Sequence, residues 1–334
     1  MRVSVIVTAF DRREYLEHAI QSVLNQSIDR SRYEIIVVSN FTFNLIGFPS
    51  DAEITTIVMN GSVGEFLFAG IKAAKYEIIS FLDDDDVFEP DKLQRLIDVF
   101  SLSPQLSYYH NGVRYVDSGL RPITHFRLVE KKMQPLKDII IVIDPKKKLN
   151  MIRKALEYNG DFNLSSIAIK KECSEKYMST LRGINGLTDG FFFWSSLAIN
   201  GQIMIESKKL TNYRMHEENT SAQIDFHRKV LSLEEQIHTF KLILDFLDDK
   251  CSPNRRSVYL KGWVNLYKCE YELISLVFAN SSRVTILKQI KKLSSVDMRF
   301  SNALKYRIFF FAIIALIRVK YAQKFYLIIR SSIV

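Results

Sequence analysis

Ile78–Pro90 reads IISFLDDDDVFEP, a strand-like run of five residues followed at once by four aspartates. Like charges in a row repel, and carboxylates set against an apolar strand lose hydration, so the arrangement needs a compensating partner. Outward from it the chain alternates. Val3–Val7, Ile35–Val38 and the weaker Ile54–Val58 read as further strands, and Gly64–Ala74 as a helix. Asp11 and Glu14 have the spacing of a capping box ahead of a helix bearing Leu16, Ile20, Val23 and Leu24. Pro90 suits the first turn of a helix whose apolar face is Leu93, Leu96, Ile97 and Phe100. Apolar strands separated by helices predict an α/β fold, a mostly parallel sheet covered on both faces. Such sheets bind ligands at the carboxyl ends of their strands, which is where the aspartates fall.

The 334 residues suffice for one large domain with an appendage, and 47% hydrophobic with 25% charged residues is a globular composition. The net charge of +9 is uneven: Cys251–Val334 carries 15 Lys and Arg against 3 Asp and Glu, or +12, leaving −3 for the rest. Cys173, Cys251 and Cys269 form no metal-ligand spacing and suit a reducing cytoplasm. No secretory signal is expected. The longest apolar run, Ile308–Ile317, has ten residues, half of a membrane span. Residues 121–150 read as a long basic connection, and Ser165–Lys171 and Ile203–Ile205 as strands. From about residue 225 the pattern is helical, with Leu231, Ile237, Phe240, Leu244 and Leu247 on one apolar face and Ile286, Ile290 and Leu293 on another. The expected division is 1–224 and 225–334.

Taken on their own, strand-end aspartates at Asp-x-Asp spacing suit Mg²⁺ or Mn²⁺, which takes one or two carboxylates and completes its shell with phosphate and water. A solvated acidic loop is the plain alternative. Asp189, before GFFFWSSL, reads by itself as the cap of a buried helix rather than as a catalytic residue. Phe191–Phe193 and Trp194 read as core, and Arg214 as a structural ion pair or a phosphate contact.

Val3–Gln26 (VSVIVTAFDRREYLEHAIQSVLNQ), YEIIVVSN, and the run from NGSVGEF to FLDDDDVFEPDKL resemble the family 2 glycosyltransferases of GT-A fold, as does Leu187–Ser221 with its closing YRMHEENTS. The resemblance implies an inverting, nucleotide-sugar-dependent transferase using Mg²⁺ or Mn²⁺. By matching positions, Thr8, Phe10 and Asp11 cradle base and ribose, with Ser39 and Asn40 beside the base. Asp83 and Asp85 occupy the Asp-x-Asp pair that faces ribose, diphosphate and metal, with Asp83 and Asp84 on the nucleotide-sugar side and Asp85 and Asp86 on the metal side. Asp189 matches the base that deprotonates the acceptor hydroxyl, and His216 the histidine near the diphosphate or its metal. Where the family has Asp-Asp after the second strand, this chain has Ser39-Asn40, which weakens but does not remove the expectation of a UDP-sugar; Thr188 replaces the usual glutamate, and the Asn-x-Gly element is only partly kept at Asn60, Gly61 and Gly64.

The expected acceptor is a hydroxyl of a glycan or lipid-linked molecule. For the basic C-terminal part the expected partners are an anionic membrane surface or a second copy in a homodimer. Nucleic acid is not expected, for want of a recognition motif. A non-catalytic GT-A module and a nucleotidyltransferase are the competing readings, the latter without a glycine-rich loop in residues 3–15.

Overall fold

A computed structural model describes residues 1–45, 47–123, 140–144, 151–199, 201–216, 226–251, 255–294, 302–317 and 319–323. Most of the expected basic connection, 121–150, lies outside them. The chain forms two compact units, Met1–Ile123 with Met133–Met215, and Thr124–Lys132 with His216–Val334.

Among the described residues the first unit is built on a nine-stranded sheet. Its strands are β1 (Val3–Ala9), β2 (Tyr33–Ser39), β3 (Ile54–Val58), β4 (Ile78–Asp83), β5 (Val87–Phe88), β6 (Leu106–Val116), β7 (Ile140–Ile143), β8 (Ile167–Lys170) and β9 (Gln202–Arg214). They lie in the order β3-β2-β1-β4-β8-β6-β9-β5, with β7 also on β9. The β1–β2, β1–β4, β2–β3 and β6–β9 ladders are parallel and run five to ten residue pairs each. The four antiparallel junctions run only two to four, so the sheet is mostly parallel. β1 and β2 are buried throughout, as their unbroken apolar runs require, whereas β3 is an edge strand and half-exposed.

Helices cover both faces. α1 (Leu16–Leu24) and α3 (Lys92–Leu102) pack Leu16, Ile20, Leu93 and Phe100 against Val5, Val7 and Leu82. On the opposite face, α2 (Val63–Ala73) crosses β1 with Gly70 against Ile6. After α4 (Met151–Glu157), α5 (Thr188–Ala198) stacks Phe192 on Phe81 of β4, ring centroids 4.6 Å apart. Phe191–Phe193 and Trp194 are at most 1% exposed, so they are core.

Two local expectations fail for identifiable reasons. Asp11 does not cap α1: its backbone is left-handed (φ +56°), its side chain bonds to Asn40 across the sheet end, and the helix begins only at Leu16. The capping box sits on α2 instead, where Ser62 and Glu65 each bond to the other's backbone N–H. Pro90 also precedes its helix, which starts at Lys92 behind Asp91.

The second unit contains α6 (Phe226–Lys250), α7 (Arg255–Phe278), α8 (Arg283–Ser294) and α9 (Asn302–Ile317). The buried face of α6 comprises Leu233, Phe240, Ile243, Phe246 and Leu247, and Leu231 is exposed. That face meets α7, where Phe240 packs edge-on against Tyr271 at 5.3 Å. Ile286 of α8 is buried. Among the described residues no helix is long and apolar enough to cross a membrane.

Candidate functional site

β1 has β2 on one side and β4 on the other, so the chain reverses its direction of travel across the sheet at the β1–β4 junction. The crevice at the carboxyl ends of these two strands is where an open α/β sheet accepts a ligand. Thr8 and the aspartate run meet there: the Thr8 hydroxyl donates to Asp83 Oδ1 at 3.2 Å, and the Asp84 N–H donates to the Thr8 carbonyl at 3.1 Å. Phe10 stands next to them, 57% exposed, its ring 6.0 Å from that of Phe66.

Asp11 and Asn40 form a reciprocal pair. The Asp11 N–H donates to Asn40 Oδ1 at 2.9 Å, and Asn40 Nδ2 donates to Asp11 Oδ1 at 2.6 Å. An aspartate at position 40 would set two carboxylates against each other, which explains in local terms why an amide stands there. Ser39 is fully buried, and its hydroxyl donates to the Phe41 carbonyl at 2.7 Å. The expectation that this hydroxyl serves a nucleotide base therefore finds it engaged within the protein.

The four aspartates divide by environment. Asp84 accepts two bonds from the Arg12 guanidinium, at 2.5 and 3.3 Å, and Asp85 lies 2.7 Å from the same group. Burial works against the Arg12 charge, but the bond to Asp84 and the fields of Asp85 and Asp84 outweigh it and hold Arg12 firmly protonated. Asp83, which is partly exposed while the other three are buried, has a carboxyl pushed well above the usual range by desolvation and by repulsion from Asp85, Asp86 and Asp84. Asp86 is 1% exposed and faces inward: Oδ1 accepts from the Arg214 N–H and Oδ2 from Asn163 Nδ2, both at 2.9 Å. Desolvation and Asp85 raise its pKa to about 7. Arg214 is itself fully buried, donating through Nε to the Asp85 carbonyl at 2.6 Å and lying 4.3 Å from the Tyr15 ring centroid. That placement makes Arg214 part of the scaffold behind the run.

Asp189 opens α5, and its position follows from the segment Gly160–Ser166. Asp189 Oδ2 accepts from the Asn163 N–H at 2.9 Å and Oδ1 from the Gly190 N–H at 2.8 Å. Desolvation raises its pKa to about 6 against the opposing effect of these two bonds. A carboxylate with that value accepts a proton from a hydroxyl in a site at neutral pH and releases it again, the property of a general base. Asp161, which pattern reasoning did not single out, is close enough for the charge of Asp189, after burial, to lift its pKa to about 7. Asn163 and Lys92 were also missed. Lys92 is fully buried, its ammonium 3.9 Å from the Phe88 ring centroid and 3.0 Å from the Thr211 hydroxyl, and burial depresses its pKa far below the usual lysine value. For Asn163 the only signal in the sequence is an asparagine in a short loop before a strand, the residue type that tolerates left-handed backbone.

Among the described residues no group of three or more His, Cys, Asp and Glu side chains is arranged to hold a metal ion by itself. Asp83 offers carboxylate oxygens of the hard type that Mg²⁺ or Mn²⁺ takes beside phosphate and water, and Asp85, 2.7 Å from the Arg12 guanidinium, would share its oxygens with that cation. His216 is half-buried and belongs to the second unit.

A family model described as glycosyltransferase-like family 2 matches residues 1–228. An uncharacterized glycosyltransferase of Nostoc sp. is 34% identical over 119 residues, which is 33% of this chain and only 36% of that relative. The O-antigen biosynthesis glycosyltransferase WbnJ of Escherichia coli is 25% identical over 232 residues, 65% of this chain and 81% of the relative. Among solved structures, S. aureus TarS 1–349 in complex with UDP-GlcNAc superposes with a TM-score of 0.64 at 12% identity, covering 98% of this chain and 91% of that one. The last is a likeness of fold, GT-A in type. The chain belongs to the glycosyltransferase-like family 2.

Proposed function

We propose that this family 2 glycosyltransferase moves a sugar from a UDP-linked donor to a hydroxyl of a glycan or lipid-linked acceptor, inverting the anomeric carbon. The observation that carries the reading is the meeting, through one asparagine, of two acidic groups of different character: the aspartate run at the β1–β4 switch point and the amide-held Asp189. A single displacement needs a stabilised leaving group on one side and a base on the other. Asp189 is the base. Asp83 and Asp85 would hold Mg²⁺ or Mn²⁺, and Asp86, facing inward, supports them. A divalent ion bound there would supply positive charge to the departing diphosphate. Thr8, Phe10, Asp11 and Asn40 flank base and ribose, and Asp84 with Arg12 closes the diphosphate side. With Ser39 buried, recognition of the base falls to Asn40 and Asp11.

UDP-GlcNAc bound by the similarly folded TarS makes a UDP-sugar the first donor to test. A thermal-shift panel of UDP, GDP, CDP and dTDP with Mn²⁺ should select UDP, and Asp85→Asn should abolish the selected shift. No turnover of any nucleotide-sugar by folded protein would instead favour a non-catalytic module.

The second unit adds a partner to this proposal. Phe310, Ile313, Ile317 and Tyr321 follow one another at helical spacing and are each more than half exposed, while Ile308, Ala312 and Ala315 supply the buried side. Residues 283–334 hold eleven Lys and Arg against one Asp, and Arg283 donates to the Ile317 carbonyl at 3.3 Å, beside this stripe. An apolar stripe among cations fits an anionic bilayer surface. Flotation with anionic but not zwitterionic vesicles, lost in Ile313→Asn/Ile317→Asn, is the expected result. Concentration-dependent dimers that disappear in the same variant would assign the stripe to a second copy.

A further inference from the structure

We infer that Asn163 is the positioning residue that holds the donor side of the site and the base in fixed relation. The inference rests on the transferase reading above and adds to it a residue outside the family motifs. Asn163 is 5% exposed, and its backbone is left-handed, φ +63°. Its N–H reaches Asp189 and its side-chain Nδ2 reaches Asp86, each at 2.9 Å, spanning sequence separations of 26 and 77 residues. The amide is oriented by a third bond, since Asn163 Oδ1 accepts from the Ser166 hydroxyl at 3.0 Å. Nδ2 is thereby turned toward Asp86.

The segment that presents Asn163 is pinned along its length. From β6, the Tyr108 hydroxyl donates to the Gly160 carbonyl and the His110 ring bonds through Nε2 to the Phe162 carbonyl, both at 2.7 Å. Further on, the Ser165 hydroxyl accepts from the Asp83 N–H at 3.0 Å, and the Ser165 carbonyl accepts from the buried Lys92 ammonium and, at 3.1 Å, from the Thr211 hydroxyl. A displacement of Gly160–Ser166 therefore moves Asp83, Asp86 and Asp189 together. Asparagine is well chosen for the centre of this strut because it tolerates positive φ and carries an amide donor.

The two bonds separate by substitution. Asn163→Gly keeps the left-handed backbone and the N–H to Asp189 but removes the amide to Asp86. The expected result is about tenfold weaker UDP binding in the presence of Mn²⁺, by calorimetry, with the acidic limb of the kcat–pH profile unmoved. Asn163→Ala also strains the backbone and displaces the N–H. Here kcat should fall about a hundredfold and the acidic limb should move to higher pH, because the charged form of Asp189 loses a donor. Asn163→Asp turns the donor into a carboxylate facing Asp86 and should weaken UDP binding more than glycine does. Should the alanine variant fail to fold, the glycine variant decides through UDP affinity. Variants that lose thermal stability while keeping wild-type UDP affinity and limb position would reduce Asn163 to a structural residue and overturn the inference. A wild-type protein that transfers no sugar would overturn the transferase reading instead.

Discussion

Two carboxylate sites joined through Asn163 are held by different means. At the end of β4, Asp84 and Asp85 face a full counter-charge, the Arg12 guanidinium. At the start of α5, the bonds that hold Asp189 are backbone N–H groups, and its pKa settles near 6. A guanidinium beside carboxylates favours their charged form. Amides orient a carboxylate yet leave it able to gain and lose a proton. The first arrangement suits binding, the second proton transfer.

Removing the proton acceptor should have the largest effect. Asp189→Asn keeps shape and loses the base, so kcat should fall by about 10³ while UDP affinity, measured by calorimetry, stays within about threefold of wild type. Equal losses of both would erase the distinction between the two sites. Arg12→Ala acts on the other side by leaving two buried carboxylates without their cation. We expect a loss of about 1–3 kcal/mol in stability at pH 7.5 by denaturant unfolding. The deficit should shrink at acidic pH, where protonated carboxylates no longer need a cation. A deficit independent of pH would show that Arg12 acts by packing alone. The smallest effect is expected from Asn40→Asp, which opposes Asp11 with a second carboxylate. Its cost should be about 1 kcal/mol, with a few-fold weaker UDP binding; tighter binding would move base recognition away from the Asn40–Asp11 pair.

The parallel half of the sheet was legible because its strands are buried on both faces and so read as unbroken apolar runs: Val3–Val7, Ile35–Val38 and Ile78–Leu82 all fall inside observed strands. The aspartate run announced itself by charge. β6 did not, since LSYYHNGVRYV mixes aromatic, polar and glycine positions, and its parallel partner β9 is irregular between Glu206 and Thr211. Gly112 in this strand is needed because a Cβ there would lie 2.5 Å from the Ser207 carbonyl, a tertiary demand with no periodicity to betray it. The same holds at Gly64, one of the two glycines kept in the Asn-x-Gly element, where a Cβ would stand 2.0 Å from the Leu181 carbonyl. Asp11 mimicked a helix cap because spacing alone cannot show that its partner is Asn40, 29 residues away. Asn163 and Lys92 stayed hidden for a related reason: a lone polar residue acquires its role only when distant strands place acids and carbonyls around it.

The central claim is that Asp189, oriented by amides and with its pKa raised by desolvation to about 6, takes the acceptor's proton. The direct test is the pH dependence of kcat for sugar transfer between pH 5 and 8. A base with a pKa of about 6 predicts a rate that falls toward tenfold per unit as pH drops below 6 and levels above 7, with this limb absent from the residual activity of Asp189→Asn. A flat profile in the wild type, or the same limb persisting in Asp189→Asn, would contradict it.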